Sequence, residues 1–281
     1  MFCYNCGNTI LPEHIFCVSC GKRIDLSFLQ KPSPQYIGAN PDFNDLFYKI
    51  EATLKRESSL SQEEFEKYWG RFKTDYDYKK YSDKEIYWRI VQVIFYSGMK
   101  AAIVIAKLPA IKKYLYDYKI VKDYSKIQFD NILADNDIIR NEKKIKACIV
   151  NAKIFNDIIL NYGSFASYLE SFGNLNEKPT LENIKNEFQQ FHFLGKITAY
   201  HFMLELGLKV WKPDRVIRRM LFRLGLIKDV DNIEQAVEIG NLITDQVGEP
   251  IRYIDIVFVK YGQQGEEEGF GLKGICLEKN P

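Results

Sequence analysis

Three features of the 281-residue chain predict an all-α body behind a small N-terminal β module. From about Asn44 onward, apolar residues recur at helical spacing and strand alternation is scarce. Four of the six Cys residues, by contrast, crowd into the first twenty positions. Between the two lies "IDLSFLQKPSPQYIGANPDF", which carries three Pro and few periodic apolar positions, as a linker does. The expected organisation is therefore residues 1–23 as the module, 24–43 as the linker and 44–281 as the helical body.

The module is defined by Cys3, Cys6, Cys17 and Cys20, two CxxC knuckles followed directly by Gly7 and Gly21. Four thiolates at this spacing can converge tetrahedrally on one zinc ion, and the intervening segment is long enough for a β-hairpin return. So small a module cannot build a core without its metal, which makes the expected zinc structural. His14 lies between the knuckles and is not needed as a ligand. Disulfides are the competing use of four Cys. The opening "MFCYNCGNTI" has no basic stretch followed by an apolar one, which leads to the expectation of a cytoplasmic chain whose thiols stay reduced.

Composition narrows the function classes. An apolar share of 46% with 27% charged residues is that of a globular protein, and no apolar run is long enough to span a bilayer. The net charge is only +2, so a nucleic-acid site has to come from a local basic face. With 18 Tyr and 19 Phe, aromatic side chains exist for stacking surfaces, although most are expected in the core.

Along the body, "NDLFYKIEATLKRE" and "SQEEFEKYWGRFK" read as helices, the second opened by a Ser61–Glu64 capping box. "DKEIYWRIVQVIFYS" and "KAAIVIAKLPAIKKYL" follow, with Pro109 expected to end or kink the latter. "QFDNILAD", "NEKKIKACIVNAKIFNDIILNYG", "SFASYLESFG" and "TLENIKNEFQQF" continue the pattern, with Gly163, Gly173 and Gly207 where helices would close on a left-handed residue. "NIEQAVEIGNLITDQVG" and "PIRYIDIVFVKYGQ" complete it, the last expected as helix despite its β-branched residues. Cys148, beside Ile145 and Ile149, reads as a small buried hydrophobe, and His192 and His201 as core or surface residues without metal spacing. The acidic run Glu266–Glu268 reads as a solvated loop.

The chemistry concentrates in "FLGKITAYHFMLELGLKVWKPDRVIRR". A helix ends near Gln189 and Gln190, the chain turns through Phe191 to Gly195, and a new helix begins near Ile197. The backbone amides of Gly195, Lys196, Ile197 and Thr198 would then lie at a helix N-terminus, a site suited to a DNA phosphate and blind to sequence. Further on, Pro213 ends the incoming segment and Asp214 is an ideal N-cap residue, so its carboxylate is either a cap or a catalytic group. Arg215, Arg218, Arg219 and Arg223 load the next helix with positive charge against its dipole. Phosphate contact is one explanation, and salt bridges to acidic neighbours such as Glu205 are the other.

A helix-turn-helix unit, "LGKITAYHFMLELG", followed closely by an Asp opening a basic helix, resembles the helix-hairpin-helix DNA glycosylase superfamily. "DIIRNEKKIKACIVNAKIFNDIILNYGSFASYLESF" and "FHFLGKITAYHFMLELGL" are similar to DNA-3-methyladenine glycosylase I, and "YSGMKAAIVIAKLPAIKKYL" more loosely so. The resemblance runs from about Glu85 to the C-terminus and leaves the Cys module outside. It implies an all-α glycosylase fold in which the hairpin residues Gly195, Lys196, Ile197 and Thr198, with Arg215 and Arg218, hold duplex DNA. Asp214 would be the catalytic carboxylate of a nucleoid-associated, monomeric repair enzyme acting on a damaged base.

Departures from that pattern refine the expectation. Val93 and Ile94 stand near the acidic pocket residue of glycosylase I, and Ala101 near its Trp, so the 3-methyladenine pocket is not carried over. Ile197 stands where bifunctional branches keep a Lys, with Lys196 one residue earlier, which implies a monofunctional enzyme. Of a four-Cys iron–sulfur loop only Cys276 is present, so no cluster is expected. Tyr96, Phe165, Tyr168, Phe172 and Trp211 are the aromatics available to stack on a flipped base. The alternatives are a glycosylase with lyase activity through Lys196 or Lys100, and a non-catalytic DNA-binding protein on the same scaffold.

Overall fold

The structure, a computed structural model, describes residue 16 and residues 42–263 apart from 59 and 75. The four module Cys, most of the linker, the acidic run 266–268 and Cys276 lie outside the described residues. Residues 42–263 are helical, as the periodicity predicts, and contain no β-strand. They pack as two compact units, residues 42–73 with 213–263 and residues 74–212. The helical body, expected as one stretch from residue 44, thus forms two units, one of them assembled from both ends of that stretch.

The first unit holds α1 (Phe43–Glu57), α2 (Gln62–Gly70), α11 (Arg215–Arg223), α12 (Ile233–Val247) and α13 (Ile251–Gln263). Asp42 caps α1 by accepting from the amides of Asn44 and Asp45, and the Ser61–Glu64 capping box is formed in full at α2. Helix α1 packs on α12 and α13, and α11 on the same pair. Phe47 of α1 stacks on Phe258 of α13 with ring centroids 6.4 Å apart, and Trp69 of α2 meets the edge of Tyr253. "IRYIDIVFVKYG" is helix because its apolar residues fall at helical spacing: Ile254, Val257, Phe258 and Tyr261 are all buried.

The second unit runs from a single 3₁₀ turn (Tyr78–Lys80) through α3 (Asp83–Tyr96), α4 (Ala101–Leu115), α5 (Tyr118–Val121) and α6 (Lys126–Ala134). It continues with α7 (Glu142–Tyr162), α8 (Phe165–Glu170), α9 (Lys178–Phe188) and α10 (Lys196–Glu205). At 21 residues α7 is the longest, and α3, α5, α6 and α8 all pack on it. Phe155 of α7 stacks on Phe165 of α8 with planes 4° apart, and Phe188 of α9 meets Phe202 of α10 at 4.8 Å. Pro109 does not end α4, which runs on to Leu115. Burial of Val104, Ile111 and Leu115 along one face offsets the single helical bond that Pro removes.

Two polar contacts in this unit were not foreseeable from periodicity. The buried Lys144 of α7 donates from Nζ to the carbonyls of Ile94, Phe95 and Ser97 at 2.8, 3.0 and 2.6 Å. A cation on the last carbonyls of α3 satisfies orphan acceptors and complements the negative end of the helix dipole. Burial among these carbonyls lowers the Lys144 pKa from its usual range. Tyr87 likewise spends its hydroxyl on the carbonyl of Cys148, 2.8 Å away, and Cys148 itself is fully buried with its thiol pKa pushed up by desolvation.

Gly163 and Gly173 have positive φ, and so does Gly207, just after α10. At Gly207 the requirement is strictest, because a Cβ there would meet the carbonyl oxygen of Tyr76 at 1.8 Å with φ at +83°. The neighbouring bond from the Tyr78 amide to Leu206 O, 3.0 Å, locks the 3₁₀ turn against this glycine. Gly207→Ala is expected to lower unfolding stability by at least about 2 kcal/mol, from backbone strain added to displacement of the backbone at Tyr76. Chemical denaturation monitored by far-UV circular dichroism measures it, and a variant as stable as the parent would contradict the close approach.

Candidate functional site

The hairpin between α9 and α10 occupies the turn expected from the sequence. Helix α9 ends at Phe188 and α10 starts at Lys196, with Gly195 as N-cap residue at φ −81°. Gly195 brings no side-chain acceptor to the first-turn amides of Lys196, Ile197 and Thr198. Gly195 and Lys196 are exposed, and Ile197 and Thr198 half-buried. Thr198 turns its hydroxyl back to donate to the carbonyl of Phe193, 2.8 Å away. Phe193 itself adopts φ +69°, an unusual conformation for a bulky residue, with its side chain 40% exposed.

The turn is held from below by Asn151 of α7. Its Oδ1 accepts from the His192 amide at 2.7 Å and its Nδ2 donates to the His192 carbonyl at 2.9 Å. Asn151 is completely buried, so these two bonds replace water for all four groups involved. Phe191 and Leu194 flank His192 and anchor in the core at 1% exposure each, which leaves His192 and Phe193 outward. In the sequence Asn151 leaves one signal, a polar residue on the buried Ala147–Cys148–Ala152–Phe155 face of α7.

Asp214 is the N-cap of α11 in the other unit. Its Oδ1 accepts from the amides of Val216 at 2.8 Å and Ile217 at 3.1 Å. Arg218 lies one turn further on and reaches backwards. Its Nε donates to the Pro213 carbonyl at 3.2 Å, and its Nη1 to the Val230 carbonyl at 2.6 Å and the Asp231 carboxylate at 3.1 Å. The Arg218 side chain is accordingly only 12% exposed, whereas Arg215 is exposed. Glu205, the acidic neighbour considered for these arginines, pairs with Arg89 at 2.9 Å, whose guanidinium sits between the rings of Tyr76 and Tyr81.

The remaining site expectations distribute unevenly. Phe165, Tyr168 and Trp211 are core residues, while Tyr96 and Phe172 are partly accessible. Tyr96 lies against His201 with ring centroids 6.4 Å apart. Burial, with the nearby Lys212 ammonium second, holds the His201 imidazole well below its ordinary pKa and therefore neutral at pH 7. Lys100 is exposed just before α4. Val93 and Ile94 are fully buried hydrophobes. No cluster of three or more His, Cys, Asp or Glu side chains suited to a metal ion occurs among the described residues, and the Cys module lies outside them.

The fold is shared with known proteins. The 3-methyladenine DNA glycosylase I of Staphylococcus aureus is similar over 46% of this chain and 78% of its own, at 20% identity and a TM-score of 0.40. Residues 55–190 match the family model of methyladenine glycosylase. The 8-oxoguanine DNA glycosylase of Methanocaldococcus jannaschii shares the fold over 78% of this chain and 94% of its own, at 20% identity and a TM-score of 0.50. That of Thermotoga maritima does so over 79% and 98%, at 14% identity and 0.51. The chain has the fold of these two 8-oxoguanine DNA glycosylases. The family match ends at residue 190, one residue before the turn of the hairpin, and Asp214 lies beyond it as well. No helix among the described residues is long and apolar enough to cross a membrane.

The hairpin geometry carries a test. Asn151→Ala would remove the partner of the His192 N–H and C=O and is expected to cost about 1 to 3 kcal/mol of stability. Hydrogen exchange should show the loss concentrated at residues 191–199. Protection there equal to the parent's would mean that Asn151 does not hold the turn.

Proposed function

We propose that this chain is a monofunctional, monomeric DNA glycosylase that removes a damaged, alkylated base from duplex DNA in base excision repair. The observation that carries the reading is Asp214, a carboxylate held at the N-terminus of α11 by two backbone amides through Oδ1. The target base leaves the helical stack at a cost of a few kcal/mol, less for a lesion that pairs poorly. The bond from C1′ to the base nitrogen then breaks, its electron pair departing with the base. The sugar ring acquires oxocarbenium character, which the Asp214 carboxylate stabilises. Water adds to C1′ and gives up its proton to that carboxylate or to solvent, leaving a free base and an abasic sugar. The amides of Gly195, Lys196, Ile197 and Thr198 supply a sequence-independent phosphate contact, with Arg215 as a charged one.

An alkylated base is cationic and a good leaving group, so a pocket need only attract positive charge. Tyr96 and Phe172, the accessible aromatics, suit cation–π contact. Ile197, half-buried in the first turn of α10, cannot form a Schiff base, which supports hydrolysis without strand cleavage. A second reading, a glycosylase with lyase activity on oxidised bases, is favoured by the fold shared with the two 8-oxoguanine glycosylases. Lys196, exposed at the same turn, would be its amine.

Asp214→Asn is the decisive variant, because Asn retains the Oδ1 acceptor and is an equally good N-cap residue. We expect it to slow base release by about a hundred-fold or more while DNA affinity and thermal stability stay near the parent's. Duplexes bearing alkylated, oxidised or deaminated bases, scored for free base, provide the measurement. Base release at the parent rate would remove Asp214 from the chemistry, and a borohydride-trapped covalent adduct would establish the lyase reading instead.

For the N-terminal module we propose one structural zinc ion on Cys3, Cys6, Cys17 and Cys20, and no iron–sulfur cluster. Metal analysis of the purified chain should find one zinc per molecule. Cys17→Ser should lose it while residues 42–263 keep their helical circular dichroism. A stoichiometry of zero in the fully reduced parent would refute the assignment.

A further inference from the structure

We infer that Arg218 is a positioning residue for Asp214, and that its place in the basic helix α11 owes nothing to phosphate contact. This rests on the catalytic reading of Asp214 given above. Four of the chain's contacts converge on the carboxylate-bearing turn. Two amides, of Val216 and Ile217, fix the Asp214 side chain from the helix side. The Asp214 carbonyl accepts the first helical bond from the Arg218 amide at 2.9 Å. The Arg218 Nε holds the Pro213 carbonyl, the peptide immediately before Asp214. The same guanidinium then ties that turn to the Val230 carbonyl and to Asp231, at the approach to α12.

A planar fork explains why arginine stands here. Nε and Nη1 donate in fixed directions to acceptors five residues back and twelve to thirteen residues ahead, and a single ammonium point charge cannot span both. With the side chain 12% exposed and these donors engaged inside the fold, binding a phosphate would first require breaking that bridge. Pro213 has no backbone amide and a fixed φ, so its carbonyl is the polar group through which the turn is tethered. A carboxylate that stabilises a transition state must be held to within a fraction of an ångström, and its support is therefore part of the machinery.

The test compares Arg218→Ala, Arg218→Lys and Asp214→Asn, with the double variant Asp214→Asn/Arg218→Ala. Each is assayed in single-turnover base release from dimethyl-sulfate-methylated and 8-oxoguanine-bearing duplexes, alongside duplex dissociation constants across a salt series. Arg218→Ala and Arg218→Lys should both slow release by about ten- to a hundred-fold with affinity and salt slope unchanged. In the Asp214→Asn background Arg218→Ala should add no further loss. A salt slope reduced by about one in Arg218→Ala, restored in Arg218→Lys, would make Arg218 a phosphate contact and overturn the inference. So would parent-like release by Arg218→Ala, or an equal loss in both backgrounds, while the catalytic reading stood. Arg218→Lys keeps the charge and most of the volume, so it decides the matter if the alanine variant fails to fold. If the parent releases base from neither duplex, or Asp214→Asn is as fast as the parent, the catalytic reading itself fails and this inference falls with it.

Discussion

One buried side chain, Asn151, determines whether the hairpin exists in a usable form. A turn between two helices leaves backbone donors and acceptors that neither helix can satisfy, and in a packed unit water cannot reach all of them. The Asn carboxamide offers both a donor and an acceptor, which here pair with one residue's N–H and C=O. By taking both polar groups of His192 it lets Phe191 and Leu194 enter the core on either side. The exposed apex at Phe193 and the N-cap of α10 at Gly195 follow from that arrangement. The bonds span 41 residues of sequence, so the hairpin is a tertiary object, built on α7.

The same economy governs the cations. Three basic residues that a sequence reading would assign to solvent or to DNA are turned inward onto carbonyls or carboxylates. Lys144 takes the final carbonyls of α3, Arg89 pairs with Glu205 between two tyrosine rings, and Arg218 bridges Pro213 to Val230 and Asp231. Each end of a helix or loop would otherwise present unpaired acceptors in a poorly solvated place, where the desolvation penalty exceeds the entropy lost by ordering one long side chain. The excess of arginine at the start of α11 therefore has two components. Arg218 answers to the loop in front of the helix, and Arg215 is exposed.

Periodicity made the helices legible, including α13, whose β-branched residues still sit at helical spacing, and the Ser61–Glu64 capping box was visible from three residues' separation. The hairpin turn and Asp214 as N-cap were legible for the same reason, since both are local signals. Partition into two units was not, because it depends on the pairing of α1 with α12 and α13 across nearly the whole chain. Nor were the partners of Asn151, Lys144 and Arg218, which are chosen by tertiary contact and leave only a polar residue on an otherwise apolar face as a trace. Pro109 shows the converse. Its local rule is correct in isolation, yet burial along α4 outweighs one lost bond.

The role proposed for Asp214 gives a reason for a carboxylate at the capping position. Ser, Thr or Asn would satisfy the amides of Val216 and Ile217 as well, and none carries charge. An aspartate capped through one oxygen has its side-chain torsion set by the backbone of α11. That leaves the position of the turn as the remaining freedom, and the turn is tethered at Pro213 by Arg218. Cap and tether act on the same few atoms. On the role proposed for Asp214, a change in either is felt first in the rate of bond cleavage and only afterwards in the stability of the helix.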